Sequence, residues 1–154
     1  MPAIARNLAR WRCCLVACLA LFMLALPLTA DRADDILASL NYVATALADE
    51  NPDDAMARFD KSFVNYSKLR DYFAALTISS QVVSEIDIAD EQDSGSESKA
   101  TVEWTLSLTN KTTLETERRT GEIQVRLVSE KGKWKIVDFS PIELFNPRAG
   151  KKPK

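Results

Sequence analysis

Apolar residues recur at helical spacing in the segment that follows residue 30. Between Ala33 and Glu50 the spacing runs four, three and four, and the opposite face is polar. A single apolar stripe of this kind is typical of an amphipathic helix that packs one face against a core. The stripe consists of Ile36, Leu40, Val43 and Leu47.

The next segment can end that helix and begin another. Asn51 can cap a helix, Pro52 suits the first helical position, and the two acids that follow favour the positive end of the helix dipole. We therefore predict a short second helix through Phe59. A third helix, capped by Ser67, is predicted from an apolar face that consists of Leu69, Tyr72, Phe73 and Leu76.

Beyond Leu76 the apolar residues alternate with polar ones, which is the period of a β-strand with one buried face. The alternation is clearest from Ala100 to Leu108, and a run rich in Val and Ile from Gln81 to Ala89 predicts a strand before it. The polar segment 91–98 between them is predicted to be a turn.

Two more strands are predicted toward the C-terminus. One runs from Thr113 to Ser129, where Gly121 suggests a bulge, and the other runs from Trp134 to Phe139 after a tight turn. Helices followed by an antiparallel meander predict an α+β domain. In such a domain the N-terminal helices pack on a curved antiparallel sheet of about four strands.

The N-terminus has the pattern of a secretory signal peptide. Residues 1–12 contain three arginines and no acid, residues 13–28 are apolar, and small residues precede Asp31. We predict cleavage after Ala30. The alternative is an uncleaved anchor helix, since sixteen apolar residues are close to the shortest segment that crosses a bilayer.

Removal of residues 1–30 changes the chemistry available to the working domain. All three cysteines lie in that segment and the chain has no histidine, so disulfides, zinc thiolates and imidazole catalysis are excluded. We therefore expect no metal and no cofactor. The predicted organisation is a signal peptide at 1–30, one domain at 31–147 and a disordered basic tail at 148–154.

The exported part of the chain is acidic. The 20 lysines and arginines include Arg6, Arg10 and Arg12, so 17 remain against 22 acids, a net charge of −5. Such a surface repels phosphate backbones, and we expect no nucleic-acid partner. Polar outward positions on the predicted strands favour a monomer or a modest homodimer. These positions are Thr101, Glu103, Thr105, Gln124, Arg126, Lys133 and Lys135.

The element order and the last strand resemble a known superfamily. A helical first half, a four-stranded second half and the terminal segment Gly132–Phe139 (GKWKIVDF) are similar to the nuclear transport factor 2-like superfamily over about residues 34–145. This superfamily has a cystatin-like α+β cone and includes ketosteroid isomerases and SnoaL-like polyketide cyclases. The resemblance implies a sheet around a central pocket, often in a homodimer that meets through exposed sheet surface.

The resemblance also implies two catalytic arrangements, a histidine–aspartate pair or an aspartate base beside a tyrosine donor. Since histidine is absent, only the second applies, and Asp138 is the main candidate for the base. Strand alternation places Asp138 on the same face as Trp134 and Ile136, where a lone carboxylate is costly to bury. The alternative is a hydrated Asp138 that pairs with Arg126.

Aromatic residues are the other pocket candidates. Trp104 and Trp134 offer flat apolar walls with one polar group each, or else belong to the core. Tyr72, like Tyr42 and Tyr66, offers a hydroxyl donor, and no spacing singles out one of the three.

Three functions remain compatible with the sequence. The leading hypothesis is an exported bacterial protein, periplasmic or secreted, that binds a small apolar ligand or a protein partner without catalysis. The second is a histidine-free isomerase- or dehydratase-like enzyme that uses Asp138 and a tyrosine. The third is a membrane-anchored envelope-assembly subunit, which requires that residues 1–30 stay attached.

Overall fold

Three helices come first along the chain, as predicted. The computed structural model describes residues 30–149, so nearly all of the predicted signal peptide and the last five residues of the predicted tail lie outside the described part. The helices are α1 (Ala30–Ala48), α2 (Pro52–Met56) and α3 (Tyr66–Ser79). Within residues 30–149 no helix has both the length and the apolar run that a membrane crossing requires.

The two predicted helix caps have different outcomes. The side chain of Asn51 accepts a hydrogen bond from the backbone N–H of Asp54 at 3.1 Å, so the predicted cap of α2 is confirmed. Helix α3 begins before Ser67, and its N-cap residue is Asn65, whose side chain makes no capping hydrogen bond. The predicted Ser67 cap is therefore wrong, and the helix begins two residues earlier than predicted.

Four antiparallel strands follow in the order β1-β2-β3-β4, which confirms the predicted α+β meander. Their bounds are β1 (Ser80–Asp93), β2 (Glu97–Asn110), β3 (Thr116–Glu130) and β4 (Lys133–Ser140). The first hairpin is longer than predicted, because the ladder continues to the pair Asp93 and Ser98 and leaves only the four residues 94–97 between them.

Two irregularities in the ladder lie where the sequence did not predict them. Ala89 in β1 and Val137 in β4 each stand as one extra residue, so the side chains beyond them change face. The register runs without interruption through Gly121, and the predicted bulge there is wrong. A Cβ at that position would lie 3.5 Å from Leu144 Cδ1, which is an ordinary van der Waals contact, so the surroundings of Gly121 do not require glycine.

The helices and the inner face of the sheet enclose an aromatic core. After β4 the chain forms a 3-10 turn, Glu143–Phe145, and this C-terminal turn inserts Phe145 between the helices and the sheet. The buried rings contact one another with centroids between 5.2 and 6.2 Å apart, mostly edge to face. They are Phe59, Phe63, Phe73, Trp104, Phe139 and Phe145.

Candidate functional site

The middle of the cone is filled by side chains at the position of Trp104. This residue is 0% exposed, and its ring lies 5.8 Å from that of Phe139 and 5.3 Å from that of Phe145. Of the two interpretations of Trp104, the structure supports the core residue. The concave sites described below lie at the surface instead.

Asp138 lies on the outer face of the sheet, away from the helices. Because Val137 is an extra residue in β4, Asp138 lies opposite Arg126 in the β3–β4 ladder. Ile136 lies opposite Leu127 on the inner face. Asp138 is exposed. The expectation that it shares a face with Trp134 and Ile136 is therefore wrong, and the physical reason is the bulge.

Asp138 and Arg126 line a polar trough of about 470 Å³ on that outer face. Arg126 Nη1 lies 3.8 Å from Glu97 Oε1. Strand β1 contributes two further polar side chains to the trough, from Asp90 and Gln92. Charges of both signs line this trough, and apolar side chains contribute little to it, so it does not fit an apolar ligand.

Tyr72 is far from this trough because it lies on α3, at the other side of the sheet. It is half-buried against the core, and Lys68 Nζ lies 5.5 Å from the centre of its ring. A hydrogen bond to Glu143 raises the pKa of Lys68 and ties α3 to the C-terminal turn. The structure therefore does not bring Asp138 and Tyr72 together.

Trp134 lines a different concave site, between α1 and the start of β4, which we call the α1–β4 groove. The indole Nε1 of Trp134 donates a hydrogen bond to Asp35 Oδ2 at 3.1 Å and so fixes the ring against α1. The groove has a volume of about 460 Å³. It is lined by Asp35, Ala38, Ser39, Tyr42, Ala57, Arg58 and Gly132–Lys135.

Tyr42 and Arg58 form the second wall of the α1–β4 groove. The guanidinium carbon of Arg58 lies 4.0 Å from the centre of the Tyr42 ring, and the Tyr42 hydroxyl donates to Asp54 Oδ1 at 2.8 Å. Lys135 Nζ donates to the backbone carbonyl of Ala57, which holds the strand against the α2–α3 connection. The groove is thus a site with two aromatic walls whose orientations are fixed by hydrogen bonds.

The sequence contains part of the information that locates this groove. Asp35, Ser39 and Tyr42 follow one another at intervals of four and three, so they share one face of α1. Arg58 has no such pattern, because the groove receives it from an irregular segment whose path is set by long-range contacts. Trp134 was therefore predicted from the sequence as a pocket residue, whereas Arg58 was not.

The Tyr42–Asp54 pair is the point where a hydroxyl and a carboxylate meet near the groove. The hydrogen bond to Asp54 raises the pKa of Tyr42 above its ordinary value, because it favours the neutral phenol. The hydroxyl is already committed to Asp54, and a phenol with a raised pKa is a weaker acid. This pair therefore orients the aromatic wall and is poorly suited to proton transfer.

Asp54→Asn is expected to lower the pKa of Tyr42 toward the ordinary tyrosine value, because the charge-assisted hydrogen bond is lost. The raised value means that the hydrogen bond contributes stability below about pH 10 and that this contribution disappears as the pH rises through the folded-state pKa. Ultraviolet titration of tyrosinate, with Tyr42→Phe to identify the signal, measures the shift.

Asp53→Asn is the matched control for this titration, since the neighbouring Asp53 carboxylate pairs with Arg70 at 3.1 Å. It should leave the titration of Tyr42 unchanged. An identical titration curve in the Asp54→Asn variant and the wild type would contradict the assignment of the raised pKa to Asp54.

Comparison with known proteins gives the fold. The sequence matches no protein-family model and no curated protein. It is similar in structure to a nuclear transport factor 2-like superfamily protein from Salmonella enterica, with a TM-score of 0.59 and 12% identity over 72% of this chain and 89% of that one. A ketosteroid isomerase-like protein from Erwinia carotovora gives a TM-score of 0.57 and 15% identity over 69% and 91%.

A protein of unknown function from Mycobacterium tuberculosis gives a TM-score of 0.62 and 16% identity over 75% of this chain and 74% of that one. At such identities a likeness concerns the fold alone, and fold does not carry function with it. The predicted resemblance is confirmed at that level: the described helices and four-stranded sheet have the α+β fold of nuclear transport factor 2-like structures.

Proposed function

We propose that this protein is a non-catalytic binding domain and that the α1–β4 groove is its ligand site. The observation that carries the proposal is the pair of fixed aromatic walls, the Trp134 indole held by Asp35 and the Tyr42 ring stacked under Arg58. Rigid aromatic walls provide apolar contact area at a low cost in conformational entropy. The filled middle of the cone supports a surface site over an interior one.

The charges around the groove favour a ligand that combines an apolar body with an acidic group. Arg58 and Lys133 present cations at the groove, while the carboxylate of Asp35 accepts the hydrogen bond from Trp134. An acidic group on the ligand can pair with Arg58, and the apolar body can lie against Trp134 and Tyr42. This proposal refines the small apolar ligand predicted from the sequence.

An isomerase-like activity has less support from the same geometry. What supports it is that one structure with a similar fold, from Erwinia carotovora, is described as ketosteroid isomerase-like. Such chemistry needs a base and a hydroxyl donor directed at one enclosed space. Here Asp138 is exposed on the outer face, and the Tyr42 hydroxyl is bonded to Asp54.

We also propose that the protein works outside the cytoplasm after cleavage near Ala30. The arginine-rich start, the apolar segment and the small residues before Asp31 support this proposal. The domain would then act as a monomer or a modest homodimer, since the outward positions of β2, β3 and β4 are mostly polar.

The probe 1-anilinonaphthalene-8-sulfonate tests the ligand site, because it joins an aromatic body to one sulfonate. We expect it to bind the folded protein at one site with an increase in its fluorescence. Trp134→Ala should weaken binding roughly tenfold, which corresponds to the loss of one aromatic contact of about 1.4 kcal/mol. Arg58→Ala should also weaken it, through the loss of the cation.

Arg126→Ala is the matched control, because it removes a guanidinium of similar exposure from the outer trough. Its affinity for the probe should equal that of the wild type. Equal binding by the wild type and by both groove variants, or a loss only in Arg126→Ala, would contradict the proposed site.

A further inference from the structure

The two edges of the sheet are protected to different degrees. On the β4 side, the backbone N–H of Asp60 donates to the carbonyl of Ile136 at 2.8 Å, and the N–H of Ile136 donates to the carbonyl of Arg58 at 2.9 Å. This short segment covers the edge of β4. On the other side, the N–H of Ser80 donates to the carbonyl of Leu76 in α3, and within residues 30–149 the rest of the β1 backbone forms hydrogen bonds only with β2.

The sequence of β1 lacks the basic residues and the proline that often keep an open edge from pairing, although it carries acids and has a bulge at Ala89. The 14 residues of Ser80–Asp93 contain no lysine, no arginine and no proline. The ladder is regular from Ser80 to Ile88, ahead of the bulge at Ala89. Val83 is 53% exposed on this stretch, so an apolar contact is available beside free backbone groups. A long regular edge of this composition is ready to accept another strand.

The charge of β1 indicates what kind of strand it can accept. The strand carries no cation and five acids, Glu85, Asp87, Asp90, Glu91 and Asp93. Glu85 already pairs with Arg118 of β3 at 3.0 Å, so Asp87 is the acid of Ser80–Ile88 that is left for a partner. The β1 strand of a second copy would place these carboxylates beside an identical set, and like charges across a strand pair are destabilising. An extended segment rich in lysine or arginine would instead place a cation beside Asp87.

We propose that Ser80–Ile88 docks an extended basic segment of a partner protein, which adds to the sheet as a fifth strand beside β1. The backbone groups of β1 supply the hydrogen bonds, Val83 supplies an apolar contact, and Asp87 supplies charge selectivity. This surface lies at the edge opposite β4 and the α1–β4 groove, so it is independent of the proposed ligand site.

The test uses the full chain and a blocked peptide, Lys-Val-Lys-Thr-Lys-Val-Lys-Thr, with the Glu-for-Lys peptide as its matched control. The basic peptide should bind roughly tenfold more tightly than the acidic one, and the difference should shrink at high salt. Hydrogen exchange in the presence of the basic peptide should slow at amides of residues 80–88 and not in β4.

Val83→Lys should weaken binding of the basic peptide roughly tenfold, since it places a cation on the edge. Val64→Lys is the matched control, because Val64 is 96% exposed in the loop before α3. Asp87→Asn provides a second variant at an exposed carboxylate and should weaken binding less than Val83→Lys.

Several results would overturn the proposal. Equal affinity for the basic and acidic peptides would remove the role of the carboxylates, and unchanged binding by Val83→Lys would place the peptide elsewhere. Slow hydrogen exchange at the amides of residues 80–88 in the protein alone, at concentrations where it is dimeric, would mean that a second copy of the chain occupies the β1 edge. Binding that requires deletion of residues 150–154 would make the protein's own basic tail the occupant.

Discussion

Phe145→Ala is expected to lower the free energy of unfolding by about 3–5 kcal/mol, the range for removal of a buried aromatic ring. The Phe145 ring is 0% exposed and lies 5.2 Å from Phe73, 5.3 Å from Trp104 and 5.7 Å from Phe139, measured between centroids. Its loss leaves a cavity in the middle of the cone. Urea denaturation followed by circular dichroism measures the change.

Val64→Ala is the control for this experiment, because a side chain that is 96% exposed has little packing to lose. Its effect should stay within about 0.5 kcal/mol. A loss below about 1 kcal/mol for Phe145→Ala would mean that the C-terminal turn is not part of the core. Such a result would contradict the conclusion that side chains fill the interior, on which the proposal of a surface site depends.

Arg119→Ala is expected to lower the free energy of unfolding by about 2–3 kcal/mol, because it removes a charged donor from several acceptors. Only 10% of the Arg119 side chain is exposed. Its Nη1 donates to the carbonyls of Leu144 and Asn146 at 3.3 and 2.6 Å, and its Nε donates to Glu117 at 2.7 Å. Arg119 therefore fastens the C-terminal turn to β3.

The neighbouring arginine is a control within the same strand. Arg118 lies on the opposite face, is 64% exposed and forms its ion pair with the equally exposed Glu85. Exposed pairs of this kind contribute about 0–1 kcal/mol, so Arg118→Ala should have a small effect. Thermal unfolding of both variants compares them directly. Equal losses for the two arginines would contradict the anchoring role of Arg119.

The sequence predicted the fold class because hydrophobic periodicity is a local property. The stripe of α1 and the alternation of β2 depend on which residues must be buried, and both are buried in the structure as expected. Bulges depend instead on how strands meet. No local pattern marks Val137 as an extra residue, and this is why the face of Asp138 was predicted incorrectly.

The candidate site was predictable in part. Trp104 and Trp134 have the same chemistry and both lie on strands, yet one is enclosed by Phe139 and Phe145 while the other lines a groove. The difference arises from the C-terminal turn, which covers Trp104 through contacts distant in sequence. Local patterns do not contain such contacts, so the sequence could name both residues without separating them.

The indole N–H resonances of Trp104 and Trp134 test the central claim most directly. In a ¹⁵N-labelled sample titrated with 1-anilinonaphthalene-8-sulfonate, the Trp134 signal should shift progressively, because its ring lines the α1–β4 groove. The signal of Trp104, which is 0% exposed, should stay in place. A shift of Trp104 without a shift of Trp134 would place the ligand inside the cone and contradict the surface site proposed for this domain.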